Sequence, residues 1–108
     1  MMEELSAKFL PQFVKLARSR LANALTAAGA RDHQAAPGIA RELHTLAGEA
    51  GLLGLHDVIP LARDGEQKAR SLGASRAEAD AELLVDVLRQ LERVIERIGS
   101  TQASKAGD

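Results

Sequence analysis

Apolar positions recur every three or four residues along most of the chain, which is the spacing of amphipathic helices. The clearest run lies in the middle of the sequence, at Ile39, Leu43, Leu46, Ala50 and Leu53. This spacing predicts a helix over residues 36–52 whose apolar side is buried. No segment shows the strict alternation of a half-buried strand, so we expect an all-α protein.

Proline and glycine divide the N-terminal stretch of the pattern. Pro11 interrupts an apolar stripe, and proline is tolerated mainly in the first turn of a helix. We therefore expect a short helix at 3–10, a bend, and a longer helix at 11–28 that ends at Gly29. Asp32, in the turn that leads into the central helix, is a candidate N-cap of that helix.

Two further helices are expected after the central one. The first covers residues 55–72, with Pro60 in its first turns and Gly73 at its end. The second begins with a capping box, in which Ser75 is the N-cap and Glu78 reaches back to it.

This last helix has a strong apolar repeat with a period of seven residues. We expect Gly99 to stop it and residues 100–108, which are small and polar, to be disordered. Four amphipathic helices with short turns predict an antiparallel up-and-down four-helix bundle. The prediction is a domain over residues 1–99, with a short extra N-terminal helix and a disordered tail.

Composition excludes several classes of function. A chain of 108 residues is enough for one small domain. A net charge of −1 gives no electrostatic footprint for nucleic acid, and the absence of cysteine excludes disulfides and thiolate metal sites. No apolar run is long enough to cross a bilayer, and the N-terminus lacks the apolar region of a signal peptide. We expect a cytoplasmic monomer with no nucleic-acid, membrane or metal partner.

The central helix carries a histidine whose neighbours on the helix surface are mostly small residues; we call this surface the clearing. His44 follows Leu43 and so lies about 100° around the helix, at the edge of the apolar face. The residues at helical spacing from it are Ala40, Arg41, Ala47, Gly48 and Gly51. Each glycine costs about 1 kcal/mol relative to alanine inside a helix, and helices keep glycine for packing or access. We interpret the clearing as room for a molecule to approach the imidazole.

This stretch has the form His-x-Leu-x-Gly with further glycines after it, and it resembles the histidine-containing phosphotransfer (HPt) domain. The matching positions are His44, Leu46, Gly48, Gly51, Gly54 and Leu55. HPt domains carry a phosphoryl group between aspartates of receiver domains in two-component phosphorelays. The resemblance implies that His44 is the phosphoacceptor. It also implies that Glu66, at the aligned position on the next helix, orients the imidazole.

One departure from the family matters, because the family usually has lysine three residues after the histidine and this chain has Ala47. We assign the missing positive charge to Arg41, three residues before His44, or to Arg63, one turn before Glu66. The chain itself needs no cofactor, since Mg²⁺ is expected from the receiver partner. Such a protein is more a substrate than a self-sufficient catalyst, and whether it counts as an enzyme stays open.

The resemblance implies two partners, a response-regulator receiver domain and a histidine kinase. The surface that meets them is expected around His44 and to be modest and partly apolar, as transient partners require. Its residues are Ala40, Ala47, Gly48, Gly51, Leu52 and Leu55.

Three functions stay open on the sequence. The first is a bacterial phosphorelay intermediate, in which His44 accepts a phosphoryl group from a receiver aspartate or a kinase and passes it to a response-regulator receiver aspartate. The second is a docking-only adaptor or inhibitor of a receiver or kinase domain, which the replacement of lysine by Ala47 motivates. The third is a detached phosphoacceptor domain of a chemotaxis-type histidine kinase, which Glu66 favours.

Overall fold

The computed structural model contains four α-helices: α1 (Met2–Gly29), α2 (Ala36–Leu53), α3 (Val58–Ser75) and α4 (Glu78–Ala106). It describes the backbone of residues 2–106 and the side chains of residues 8–101. No strand occurs in this part of the chain. The all-α prediction is therefore confirmed.

Consecutive helices pack against each other, and α4 closes the ring against α1. The ion pair between Arg18 and Glu96 joins the middle of α1 to the later part of α4. A second pair joins Arg31, just beyond α1, to Glu78 at the start of α4. Positions that advance along α1 thus recede along α4, so the two helices run antiparallel.

The same comparison fixes the register between α2 and α3. The two helices approach closely at Gly65, where an added Cβ would lie 2.9 Å from Leu43 Cδ1. A Cβ on Gly73 would lie 3.5 Å from the Cβ of Ala36. The two helices are antiparallel, and the short connection between them leaves the centre of α2 facing the centre of α3.

The core between the helices is built from aliphatic side chains, and Phe13 is its one aromatic member among the described residues. Burial of a leucine or isoleucine of this kind stabilises the fold by roughly 2 kcal/mol. The largest fully buried side chains are Leu21, Leu46, Leu72, Leu84, Leu88, Leu91, Ile95 and Val58. No polar or charged side chain in the described range is buried, so any chemistry must take place on the surface of the bundle.

The extra N-terminal helix is absent, because α1 continues through Pro11 from Met2 to Gly29. Proline inside a helix lacks one hydrogen-bond donor and costs about 3 kcal/mol. Pro11 lies on the exposed side of α1, while Leu10 and Phe13 on either side of it pack against the core. Tertiary packing therefore carries the helix through the proline.

The predicted stop at Gly99 is also wrong, because α4 is helical as far as Ala106. Gly99 instead lets α1 approach closely, since an added Cβ would lie 2.6 Å from Arg18 Nη2 and 3.3 Å from Val14 Cγ1. Residues 107 and 108 of the predicted disordered tail lie outside the described residues. The division of the chain at residue 99 stays a prediction.

The turns confirm some of the predicted caps and correct others. Gly29 ends α1, and Gly54 adopts a left-handed conformation with φ 71° at the end of α2, where glycine avoids the Cβ penalty. The predicted end of α3 at Gly73 is wrong, since the helix runs on to Ser75.

The capping box does not form. The Ser75 hydroxyl oxygen accepts a hydrogen bond from the Ala77 N–H, and the hydroxyl donates to Asp80. Glu78 pairs with Arg31. Asp32 accepts hydrogen bonds from the N–H groups of residues 34 and 35, so it stabilises the turn before α2 and not the helix end itself.

The close approach at Gly65 generates a test of the fold. Replacing Gly65 by leucine forces a side chain against Leu43 and Val87, and overpacking of this kind costs about 1–3 kcal/mol. We expect Gly65→Leu to lower the free energy of unfolding in urea by about 2 kcal/mol.

Gly38→Leu is the matched control, because nothing lies within 4 Å of a Cβ at this position. It is expected to leave stability unchanged or to raise it by up to about 1 kcal/mol through helix propensity. Equal destabilisation by both variants would mean that the α2–α3 approach is not tight at Gly65.

Candidate functional site

His44 lies near the centre of α2 and projects from the bundle, with 75% of its side chain exposed. Its neighbours Leu43 and Leu46 point into the core. The helix therefore holds the backbone of the histidine firmly while leaving the imidazole in solvent.

Glu66 on α3 contacts the imidazole, with 3.1 Å between His44 Nδ1 and Glu66 Oε1. The register explains the contact, because Leu43 and Gly65 meet in the core and each functional residue follows one of them. Only 14% of the Glu66 side chain is exposed. The structure thus brings together the two residues that the resemblance paired.

The contact determines which ring nitrogen can react. A carboxylate only accepts hydrogen bonds, so Nδ1 must carry the proton and donate a hydrogen bond to Glu66. The other ring nitrogen, Nε2, then keeps its lone pair. It has no hydrogen-bond partner among the described residues, so a nucleophilic nitrogen faces the solvent.

Arg70, which the sequence analysis did not single out, is the second partner of Glu66. Its Nη2 lies 2.5 Å from Glu66 Oε2, so each carboxylate oxygen has its own partner. The signal was present in the sequence, because a glutamate four residues before an arginine is a stabilising helical pair.

Gly48 and Gly51 follow His44 by one and two helical turns on the exposed side of α2. A Cβ added at either position would have nothing within 4 Å. Helix packing therefore does not explain these glycines, in contrast to Gly65. The surface beside the imidazole is bare backbone, open to a close-fitting partner.

The other residues predicted to meet a partner divide into two groups. Leu52 is 79% exposed, and Leu55 is half-buried at the turn that follows. Ala40 and Ala47 face the core, with 4% and 8% of their surface exposed. They add little area to any docking surface.

Arg41 and Arg63 are exposed, and neither forms an ion pair within the described range. Extending the α2–α3 register by one turn from His44 and Glu66 places Ala47 and Arg63 at the same level of the bundle. By this register Arg63 lies level with Ala47, the position where the resemblance expects a lysine, whereas Arg41 lies on α2 six residues before Ala47.

The described residues contain no group of three or more metal-ligating side chains. Within the same range, no helix has both the length and the apolar character that crossing a bilayer requires.

Comparison with known protein families decides the family. The sequence profile described as "Hpt domain" matches residues 8–101. This chain belongs to the Hpt domain family. The match includes all of α2 and α3 and most of α1 and α4, and the family implies histidine phosphotransfer in a phosphorelay with two-component signalling proteins. No curated protein and no solved structure matches the chain significantly.

The exposure of His44 makes a prediction that separates a functional histidine from a structural one. We expect His44→Gln to change the free energy of unfolding by no more than about 0.5 kcal/mol, as for surface positions in general. Leu46→Ala, two residues on and 2% exposed, should cost about 2–5 kcal/mol. Urea denaturation followed by circular dichroism measures both. A large loss for His44→Gln would show that the histidine is there for stability.

Proposed function

We propose that this Hpt protein is a phosphorelay intermediate and that His44 is its phosphoacceptor. The observation that carries the proposal is the state of the imidazole: Glu66 engages Nδ1, while Nε2 is open to solvent. The bare backbone at Gly48 and Gly51 supports it, because an incoming active site needs that space.

The transfer step follows from this geometry. The lone pair of His44 Nε2 attacks the phosphorus of an aspartyl phosphate in line with the leaving oxygen. A phosphorus–nitrogen bond forms, the bond to the aspartate oxygen breaks, and the aspartate leaves as a carboxylate. The Nδ1 proton stays in its hydrogen bond to Glu66, whose negative charge stabilises the positive charge that develops on the ring. Transfer to the next receiver aspartate is the reverse reaction.

Charge on the equatorial oxygens of the phosphoryl group needs a cation. We assign this role first to Arg63, which lies level with Ala47 and has no ion-pair partner among the described residues. Arg41, three residues before His44, is the second candidate. Mg²⁺ is expected to belong to the receiver and not to this chain.

The proposed partners are a response-regulator receiver domain and a histidine kinase. They would dock over His44, Gly48, Gly51 and Leu52, with Leu55 at the border. An exposed leucine beside small residues gives a partly apolar patch, which suits a transient complex. The setting proposed for this role is a monomeric protein in the bacterial cytoplasm.

A labelling experiment tests the proposal directly. Wild type and His44→Gln are incubated with radiolabelled phospho-receivers and, separately, with kinase cores and ATP. We expect acid-labile, base-stable label on wild type and none on His44→Gln. A receiver donor favours the relay intermediate, whereas labelling only by a kinase core favours the detached domain of a chemotaxis-type kinase. No label with any donor would contradict the proposal.

A second candidate function is a docking-only adaptor or inhibitor, which the alanine at position 47 favours. It predicts measurable binding to a receiver without label at His44. If Ala47→Lys then gained label, the missing lysine would be the reason that transfer had been lost.

The bare backbone beside the imidazole gives a further prediction. Gly48→Gln should keep the helical circular dichroism spectrum, because nothing lies within 4 Å of the new Cβ. It should slow phosphoryl transfer at least tenfold, a loss of about 1.4 kcal/mol of transition-state stabilisation. Gly38→Gln, on the same helix and away from His44, is the control and should transfer at the wild-type rate. Equal transfer rates for Gly48→Gln and Gly38→Gln would show that the partner does not need the space beside the imidazole.

A further inference from the structure

Arg70 is the arginine that contacts the pair formed by His44 and Glu66. Its contact is with the carboxylate of Glu66 and not with the imidazole. It lies one turn beyond Glu66 on α3, and its guanidinium takes the carboxylate oxygen that His44 does not use. Glu66 is 14% exposed and Arg70 is 68% exposed. A nearly buried carboxylate is thus held between an imidazole and an exposed arginine.

We propose that Arg70 is a positioning residue for phosphoryl transfer, which it supports by acting on Glu66. This inference rests on the proposed role of His44. Arg70 would have two effects. It would hold the Glu66 carboxylate in the rotamer that accepts the hydrogen bond from His44 Nδ1–H, and it would offset the negative charge of that carboxylate.

The first effect concerns geometry. A glutamate on a helix surface samples several rotamers, and fixing it costs side-chain entropy. The Arg70 guanidinium binds Oε2 and leaves Oε1 aimed at His44. Charge-assisted hydrogen bonds of this kind are the stronger ones in proteins. With the carboxylate fixed, the imidazole is held in the tautomer that exposes a basic Nε2.

The second effect concerns charge. Glu66 places an anion beside the ring that must receive an anionic phosphoryl group, and like charges repel. A paired Arg70 offsets this repulsion while Glu66 still accepts the hydrogen bond from Nδ1–H. A neutral glutamine at position 66 would orient the ring without any such repulsion. The need for Arg70 should therefore depend on the charge at position 66.

That dependence is the basis of the test. Transfer rates are measured from a labelled phospho-receiver to wild type, Arg70→Gln, Glu66→Gln and the double variant. We expect Arg70→Gln to slow transfer about tenfold in the wild-type background and less than twofold in the Glu66→Gln background. Arg70→Lys should recover part of the loss. Strong non-additivity of this kind shows that two residues act as a unit.

Arg97→Gln is the matched control, since Arg97 is an exposed arginine on α4 and should leave the rate unchanged. An equal loss on Arg70→Gln in both backgrounds would overturn the proposal, because Arg70 would then act on the phosphoryl group directly. No loss in either background would overturn it as well.

A spectroscopic arm reads the positioning without any transfer. Nitrogen-15 chemical shifts of neutral His44 report which ring nitrogen carries the proton. Wild type should be mainly the Nδ1–H tautomer, Arg70→Gln should show a mixture of tautomers, and Arg97→Gln should match wild type. If wild type takes no label but its tautomer depends on Arg70, the phosphorelay proposal fails while the positioning stands. If the tautomer ignores Arg70, the positioning is wrong whatever the label shows.

Discussion

The close approach of α2 and α3 at Gly65 is the contact on which the site depends. The lack of a side chain at Gly65 leaves room for Leu43, and this contact sets both the distance and the register of the two helices. His44 follows Leu43 and Glu66 follows Gly65. The core contact between Leu43 and Gly65 therefore places the imidazole beside the carboxylate. A bulkier residue at position 65 would push α2 and α3 apart and so separate the side chains of His44 and Glu66.

The glycines of α2 and α3 have two different purposes. Gly65 is buried and admits a neighbouring helix, whereas Gly48 and Gly51 are exposed and have no neighbour within reach of a Cβ. The first kind is explained by the fold alone. The second kind costs helix stability without improving the packing inside the molecule, and the docking partner that we propose accounts for it.

The sequence predicted the helices well, because the spacing of apolar residues is regular. Apolar periodicity located α2 and α3, whereas the pairing of His44 with Glu66 was implied by the resemblance to the HPt family, and the structure brings these two side chains into contact. The errors arose where tertiary contacts override local rules. Pro11 was predicted to break the helix, but it lies on the solvent side of a packed helix. Gly99 was predicted to end α4, but it leaves room for the side chain of Arg18. Arg70 was missed because its significance depends on which oxygen of Glu66 remains available.

The described interior holds no buried polar or charged side chain, and this has a consequence for how such proteins diverge. In the docking surface that we propose, His44, Gly48, Gly51 and Leu52 are exposed, and none of them belongs to the core that holds the helices together. If partners dock there as proposed, substitutions around the exposed Leu52 change the choice of partner while the aliphatic core, and with it the folding free energy, stays the same. A duplicated copy of this domain is therefore able to acquire a separate signalling route without first regaining stability.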